Sequence, residues 1–548
     1  MKLQRYLYYI LILSTMLVVI GCTSKSDKKN TEDTLNTDAI TQNLEVTQAA
    51  TNNDDSDTEK DSNDGVKEEA SELTDEELKQ LQEEYIKYAE IYEAEEGVLK
   101  GRAAVNSSKE GYSGLGYVEG INNDNDGCEF TITVPMDGFY DFNFYSASYD
   151  GYKENNVILD NEKIGLSIIE NKEFSDSLLT KIYLTKGEHK VSLTKHWGWI
   201  YLDYLKVTAS KETDVSIFQV SKDLINPNAD DNTKRLMSFL VDCYGEYVIS
   251  GQYADNGRYS KEIFAISNAS NGNIPAMLGL DLIEYSPSRV ENGSSSKAIE
   301  YAIEYDSLGG IVTLSWHWNS PSKYLTTKEP WWKGFYKEGT SIDLKKIMNG
   351  EDKEGYELLV SDMDAIAIQL KKLEDAGVPI LFRPLHEASG GWFWWGASEA
   401  DAYKELWYLL YDRLTNVHEI NNLIWVWNGQ HKEWYPGDDY VDIMGEDIYP
   451  GERVYTSQAT KFNNALEYTN SKKIIALTEN GCLFDPDLAF RDDARWAWFS
   501  TWSGEFVINS FGALSEKYTE EDMIKKVYSH EKVLTLNELP DLKKYPIE

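Results

Sequence analysis

The sequence predicts an α/β chain in which a (β/α)8 TIM barrel follows a β-sandwich of jelly-roll type. Three observations lead there. Beyond Val215, short apolar runs alternate with amphipathic helical stretches, the mark of βαβ units. Between Ile91 and about Ala209, short alternating runs separated by turn residues suit a sandwich. Polar and aromatic residues collect where the expected barrel strands end, the rim at which parallel barrels keep their chemistry. With 548 residues there is ample chain for two such domains.

From the start, Lys2 and Arg5 precede an apolar run from Tyr6 to Ile20, rather short for a membrane span, which reads as an export signal. Its end, Val19-Ile20-Gly21-Cys22, has the form of a lipoprotein cleavage box. Residues 1–22 are therefore expected to act as a lipoprotein signal peptide with Cys22 as the lipidated residue. The protein would be exported and held by a diacyl anchor at the outer face of a bacterial cell membrane. Residues 23–72 are Ser, Thr, Asn, Asp, Glu and Lys with almost no large apolar side chain, an acidic linker expected to be disordered. Thr74-Asp-Glu-Glu77 resembles a capping box, and Leu78, Leu81, Tyr85 and Tyr88 follow at helical spacing, which predicts a short helix over 73–90.

Apart from Cys22, the cysteines are Cys128, Cys243 and Cys482, an odd set that argues against a disulfide framework. A formal net charge of −40 and a pI near 4.6 argue against nucleic acid and anionic lipid surfaces as partners, because both need basic patches. A neutral polysaccharide is indifferent to that charge. The expected assembly state is a monomer.

The sandwich, residues 91–210, is read from strands such as Glu129–Val134, Gly138–Tyr145, Thr180–Leu184 and Glu188–Leu193. The barrel, residues 216–548, is read from eight strands: 248–250, 276–280, 311–316, 380–385, 423–427, 442–445, 474–478 and 496–501. Helical segments such as Ala400 to Leu414 and Leu466 to Asn470 lie between them. At the strand ends stand Tyr253, Asp281, His317, His386-Glu387, Asn428, Asp447 with Tyr449, Glu479 and Trp502.

The fourth strand has most to say. In Val378-Pro-Ile-Leu-Phe-Arg-Pro-Leu-His-Glu-Ala-Ser-Gly-Gly-Trp-Phe-Trp-Trp-Gly396, Arg383 interrupts an apolar run and demands a carboxylate partner nearby. Gly390 and Gly391 then turn the chain before the aromatic block Trp392 to Trp395, read as rings facing a sugar cleft. This stretch resembles the acid/base segment of glycoside hydrolase family 26, whose best-known members are endo-β-1,4-mannanases with a (β/α)8 barrel. The resemblance runs from roughly Ser216 to the C-terminus; Ala388-Ser389 departs from the usual family residues. Tyr92-Glu-Ala-Glu95, Gly111-Tyr-Ser-Gly-Leu-Gly-Tyr117 and Trp199-Ile-Tyr-Leu-Asp-Tyr204 resemble carbohydrate-binding module family 35.

The resemblance implies cleavage of β-1,4-mannosidic bonds in mannan, glucomannan or galactomannan by double displacement, with a plant β-mannan as partner. Glu387 would be the acid/base and Glu479, in Ala476-Leu-Thr-Glu-Asn-Gly481, the nucleophile. Retention requires carboxyl groups roughly 5–5.5 Å apart. His317, His386, Trp392, Tyr449 and Trp502 would line the subsite of the sugar being cleaved, and Trp331 and Trp332 the leaving-group side. His317 and His386 would bond hydroxyls or orient Glu387. No cofactor or metal is expected in catalysis, since two carboxylates suffice. In the module, Glu93, Glu95 and Asp203 would hold a structural calcium. Trp197 or Trp199, with Asn155 or Asn156 as a polar contact, would meet its sugar. A β-1,3-1,4-glucanase, a β-1,3-xylanase and a non-catalytic sugar-binding lipoprotein are the competing functions.

Overall fold

Period-two alternation along residues 89–209 builds two antiparallel sheets. The computed structural model describes residues 75–254 and 260–547. The expected signal peptide, Cys22, the linker and Thr74 of the capping box lie outside them. One sheet holds β1 (Ala89–Glu93), β3 (Ala104–Asn106), β4 (Tyr117–Glu119), β6 (Gly138–Ser148), β9 (Ser175–Leu184) and β11 (Ile200–Ala209). The other holds β2 (Val98–Lys100), β5 (Gly127–Val134), β7 (Lys153–Leu159), β8 (Glu162–Ile169) and β10 (Gly187–Lys195). Cys128, Phe130, Ile132 and Val134 of β5 face Phe142 and Phe144 of β6 and Leu205 and Val207 of β11 in one buried cluster. Each large apolar side chain so buried contributes about 1.5–3 kcal/mol by leaving water.

Ahead of the sandwich, helix α1 spans Asp75–Ile86, shorter than the 73–90 read from spacing. Residues 89–93 belong to β1, which pairs with β11 from Ala89↔Thr208 to Glu93↔Tyr204. A full ladder against an existing sheet outweighs the helical preference of a few residues. Tyr85 closes the helix onto the sandwich, donating its hydroxyl to the Phe139 carbonyl at 2.6 Å and meeting Tyr140 edge-on.

In the second half the apolar runs become eight parallel strands: β12 (Val248–Tyr253), β13 (Met277–Asp281), β14 (Ile311–Trp316), β15 (Ile380–Pro384), β16 (Leu423–Trp427), β17 (Ile443–Ile448), β18 (Ile474–Asn480) and β19 (Trp498–Thr501). They pair in sequence order, and β12 closes the barrel by bonding both β13 and β19. A short β20 (Val533–Leu534) pairs with the start of β12. Surrounding helices follow their capping signals; Asp230 and Asp352 accept from the backbone N–H groups of Thr233 and Gly355. The helix expected over Leu466–Asn470 is instead Ala459–Leu466, ending where the expected one began. Phe462 and Ala465 supply its buried face, so packing placed it one stretch earlier.

Cys128, Cys243 and Cys482 are buried free thiols. Burial pushes them up to about 12, about 12 and about 11. Among the described residues no helix is long and apolar enough to cross a membrane.

Candidate active site

At the end of β15 the backbone is forced into an uncommon shape. Leu385 and Glu387 both have positive φ, 51° and 54°, in the left-handed region that side chains with a Cβ rarely adopt. Buried neighbours hold the turn there. Tyr403 Oη donates to the Leu385 carbonyl at 3.1 Å, Trp395 Nε1 to the His386 carbonyl at 2.8 Å, and the Glu387 N–H to the Asn428 carbonyl at 2.6 Å. The strained turn projects Glu387 over the barrel mouth.

Glu479 comes from β18, across the barrel. One carboxylate oxygen from each of Glu387, Asp447 and Glu479 lies within 4.8 Å of the others, the only such acidic cluster among the described residues. The cation inside it belongs to the protein. Arg383, fully buried, donates from Nη1 to Asp447 Oδ2 at 2.7 Å and from Nη2 to Glu479 Oε1. The partner demanded by Arg383 in the sequence is thus two carboxylates. Tyr253 Oη accepts from the same guanidinium at 3.2 Å, and Tyr449 Oη donates to the other Glu479 oxygen at 2.6 Å.

These partners make the two glutamates unlike. Glu479 receives a guanidinium and a phenol. Among the described residues the Glu387 carboxylate receives only the Trp392 indole N–H, at 3.0 Å. Burial first, and the Glu479 charge second, push the Glu387 carboxyl up to about 7. Asp447 is also raised well above the carboxylate range, by burial and then by its two acidic neighbours, against the pull of Arg383. A polar chain joins the halves: Asn428 takes the Glu387 N–H on Oδ1 and donates to Thr478 Oγ1 at 2.6 Å, and Thr478 donates to Asp447 Oδ1 at 2.7 Å.

The histidines depart from expectation. No hydrogen bond joins either ring to Glu387; His317 Nδ1 pairs with Asp281 Oδ2, and His317 Nε2 faces His386 Nε2 at 3.1 Å. Burial disfavours the charge on His317, but Asp281 outweighs it and raises the pKa. Burial, then Arg383 and His317, hold His386 well below the usual imidazole range. His317 is therefore the proton donor of the pair and His386 the acceptor. The orienting contact to Glu387 comes from Trp392.

The aromatic block also divides. Phe393, Trp394 and Trp395 are core, whereas Trp392 is 41% exposed. Of the buried rings, Trp395 holds the turn through the His386 carbonyl, Trp394 donates to the Trp318 carbonyl at 2.6 Å, and Phe393 packs behind His317, Phe335 and Tyr336. Trp502 lies 4.8 Å from the Tyr253 ring and 5.8 Å from His317, beside a groove of about 640 Å³ that continues along Ser296, Lys297, Phe335 and Tyr336. That volume suits a ligand site. Phe335 and Tyr336 were not anticipated; their one signal was the aromatic-rich loop shared with Trp331 and Trp332. Arg289 anchors that loop, donating to the Trp332 carbonyl at 2.6 Å while lying over the Trp331 ring. Trp332 is 46% exposed.

Against this geometry, the model of glycosyl hydrolase family 26 matches residues 225–538, more than half of the chain. The chain belongs to glycosyl hydrolase family 26. Its sandwich matches carbohydrate binding module family 35 over residues 90–210. A mannan endo-1,4-β-mannosidase of Thermothelomyces thermophilus is 38% identical over 457 residues, covering 82% of this chain and 90% of that protein. The mannan endo-1,4-β-mannosidase of Bacillus subtilis strain 168 is 31% identical over 52% of this chain and 80% of its own length. Among solved structures, the Podospora anserina GH26-CBM35 β-(1,4)-mannanase superposes with a TM-score of 0.59 at 37% identity, over 83% of this chain and 99% of that one. A β-mannanase from a symbiotic protist of the termite Reticulitermes speratus, complexed with a gluco-manno-oligosaccharide, has a TM-score of 0.52 at 32% identity, over 59% and 98%.

In this family 26 chain the module places Trp197 and Trp199 at the surface, both about half exposed, in the β10–β11 loop. Asn155 does not join them at the surface. It lies on the inward face of β7 with Val157, fully buried, and its amide has no hydrogen-bond partner. The outward neighbour Asn156 donates to the Lys195 carbonyl at 2.9 Å. Glu93, Glu95 and Asp203 gather around the 113–115 loop: Ser113 donates from its N–H to both Asp203 oxygens and from Oγ to Glu93, and the Leu115 N–H donates to Glu95. Among the described residues no lysine, arginine or histidine pairs with any of the three. Glu95 Oε2 is buried without a partner, and burial pushes Asp203 up to about 6.

Proposed function

We propose that the protein is an endo-acting, retaining β-mannanase that hydrolyses β-1,4-mannosidic bonds in mannan-type polysaccharides, with Glu387 as acid/base and Glu479 as nucleophile. The observation that carries this reading is the approach of their carboxylate oxygens to within 4.8 Å. Double displacement operates at carboxyl separations of about 5–5.5 Å, and an inverting enzyme needs roughly 6.5–9.5 Å to admit a water between them. The curated relatives and structural neighbours supply the sugar and the endo mode.

The unlike surroundings assign the steps. With its pKa near 7, Glu387 enters the reaction protonated and gives that proton to the glycosidic oxygen as the bond to the anomeric carbon breaks. Glu479, paired with Arg383 and Tyr449, attacks the same carbon and becomes an ester. The ionised Glu387 then removes a proton from water, whose oxygen displaces Glu479 and restores both groups. Trp392 stays on Glu387 Oε2 and leaves Oε1 for the substrate. Trp502 offers a face for the ring, and His317, held by Asp281 on one nitrogen and donating to His386 from the other, keeps His386 in place beside it.

In the module the orphaned Glu95 oxygen and three acidic groups without a basic partner fit a cation. Glu93, Glu95 and Asp203 would hold calcium, which supplies the missing positive charge and fastens the 113–115 loop. Trp197 and Trp199 are the proposed glycan contacts.

Proton NMR of mannooligosaccharide hydrolysis should show the β-anomer first. Gln replacement of Glu387 or Glu479 should lower the rate on the order of 10³-fold or more with the fold intact. Initial α-anomer would exclude retention, and cleavage of barley glucan without mannan would transfer the same chemistry to a glucanase.

A further inference from the structure

We propose that Lys163, a residue of the sandwich, is a positioning residue for the barrel's chemistry, acting on Glu479 through the segment that carries Tyr449. This rests on the reading of Glu479 as the nucleophile.

The path is short. Lys163 Nζ donates to the Pro450 carbonyl at 3.0 Å. Pro450 follows Tyr449, whose hydroxyl holds Glu479 Oε2. One peptide link and one side chain separate the module's ammonium from the carboxylate. Gly451, at φ +108°, makes the bend just after this carbonyl; a Cβ built there would lie 3.7 Å from Lys163 Nζ. The half-buried ammonium thus meets its acceptor at a glycine bend that leaves the approach to the carbonyl open.

A second tether fixes the other end of the same segment. The helix Ala459–Leu466 continues the chain from Tyr449, and Thr460 Oγ1 accepts from the Thr180 N–H at 2.8 Å. Asn463 Nδ2 donates to Thr180 Oγ1 at 2.9 Å. Residues 449–463 are thus held to the module at both ends.

The module's sheet geometry is irregular where these contacts arise. Between β6 and β9 the register shifts from Tyr140↔Ile182 to Phe142↔Leu179, with Lys181 at φ +59°. The extra residues free the Thr180 N–H from the ladder, and it points to the barrel. Between β7 and β8 the register shifts from Val157↔Gly165 to Ile158↔Lys163, placing Lys163 at the edge of a bulge. Bulges re-aim side chains in this way. Both irregularities serve the barrel, since neither freed group bonds within the sandwich.

A module kept only for polysaccharide targeting would need no hydrogen bond to the loop holding the nucleophile's partner. The inference therefore separates two roles: the exposed Trp197 and Trp199 for glycan contact, and Lys163 with Thr180 for the shape of the cleft. A tyrosine displaced by a fraction of an ångström loosens the carboxylate it orients, and small misplacements at a reacting centre cost large factors in rate.

The test compares full-length Lys163→Met, which keeps the stem and loses the donors, with Lys163→Arg and the wild type. Substrates are mannotetraose and a 2-fluoro mannosyl fluoride that labels the nucleophile. Expected for Lys163→Met is about a 10-fold fall in kcat and in the labelling rate, KM within about twofold, and substantial recovery in Lys163→Arg. Equal kcat and labelling in Lys163→Met and wild type would overturn the proposal. If Lys163→Met is poorly folded, Lys163→Gln replaces it; a loss of activity that only tracks a lowered Tm in both variants would also overturn it. Wild-type cleavage and labelling at Glu479 are scored first, so failure of the catalytic reading and failure of the Lys163 proposal are seen separately.

Discussion

Two acidic groupings in this molecule use the same residue types, but among the described residues only the barrel's three carboxylates bring an oxygen each within 4.8 Å of the others. In the barrel, Glu387, Asp447 and Glu479 converge around Arg383. In the sandwich, Glu93, Glu95 and Asp203 converge around a loop with no basic side chain. The barrel's cation is covalently part of the chain and off-centre. It touches Asp447 and Glu479 but not Glu387, whose carboxyl is pushed up to about 7 by burial first and the Glu479 charge second. In the sandwich no basic side chain among the described residues pairs with the three acids, Asp203 is pushed up to about 6 by burial, and one Glu95 oxygen is buried without a partner. The position of one guanidinium separates the proposed reactive pair from the proposed cation site.

Removing that guanidinium is the most severe way to break the contrast. Arg383→Met should leave buried carboxylates uncompensated, which costs about 3–5 kcal/mol. Glu479 and Asp447 would lose their shared donor, and kcat/KM should fall on the order of 10³-fold. Arg383→Lys should not rescue it, because an ammonium cannot bridge two carboxylates as a planar fork does. Activity within tenfold of wild type in the Met variant would show that the asymmetry has another source.

A gentler probe is pH. The Glu387 carboxyl, raised to about 7, must be protonated for leaving-group departure. Thus kcat/KM should fall as pH rises through that value, approaching tenfold per unit. Carbon NMR of Glu387 in the Glu479→Gln variant should show its titration shifted down, since the neighbouring charge is gone, yet still above the ordinary glutamate range because burial remains. An unmoved titration would assign the shift to burial alone.

The smallest effect belongs to the sandwich. Chelation should lower its Tm while leaving initial rates on mannotetraose nearly unchanged, and calcium should restore it. Saturation at 100 times Kd is worth about 2.7 kcal/mol. A Tm indifferent to chelator and calcium would remove the ion from the module.

Much of this was legible before the structure. The eight barrel strands could be placed because each is a short apolar run ending in a polar or aromatic rim residue, and Glu387 and Glu479 stood at two of those ends. Arg383 announced a carboxylate partner because a lone buried cation is too costly. What could not be read was how side chains pair across the barrel. Asp281 and Asp447 sat at rim positions, but nothing local tells that one grips His317 and the other shares Arg383. Four neighbouring aromatics looked alike in sequence, and only the left-handed turn at Glu387 decided that Trp392 faces out while the next three pack inward. Asn155 and Asn156 are likewise separated only by the two-residue strand period. The helix end was misjudged where pairing of β1 with β11 intervened.

The three buried thiols carry a consequence for how the protein can be made. None is paired, and each is held in its protonated form far above neutral pH, where it neither exchanges nor oxidises readily. The described fold therefore depends on no oxidant and no isomerase. It should assemble equally well in a reducing cytoplasm and in an oxidising exterior, and an excess of dithiothreitol should leave its melting curve where it was.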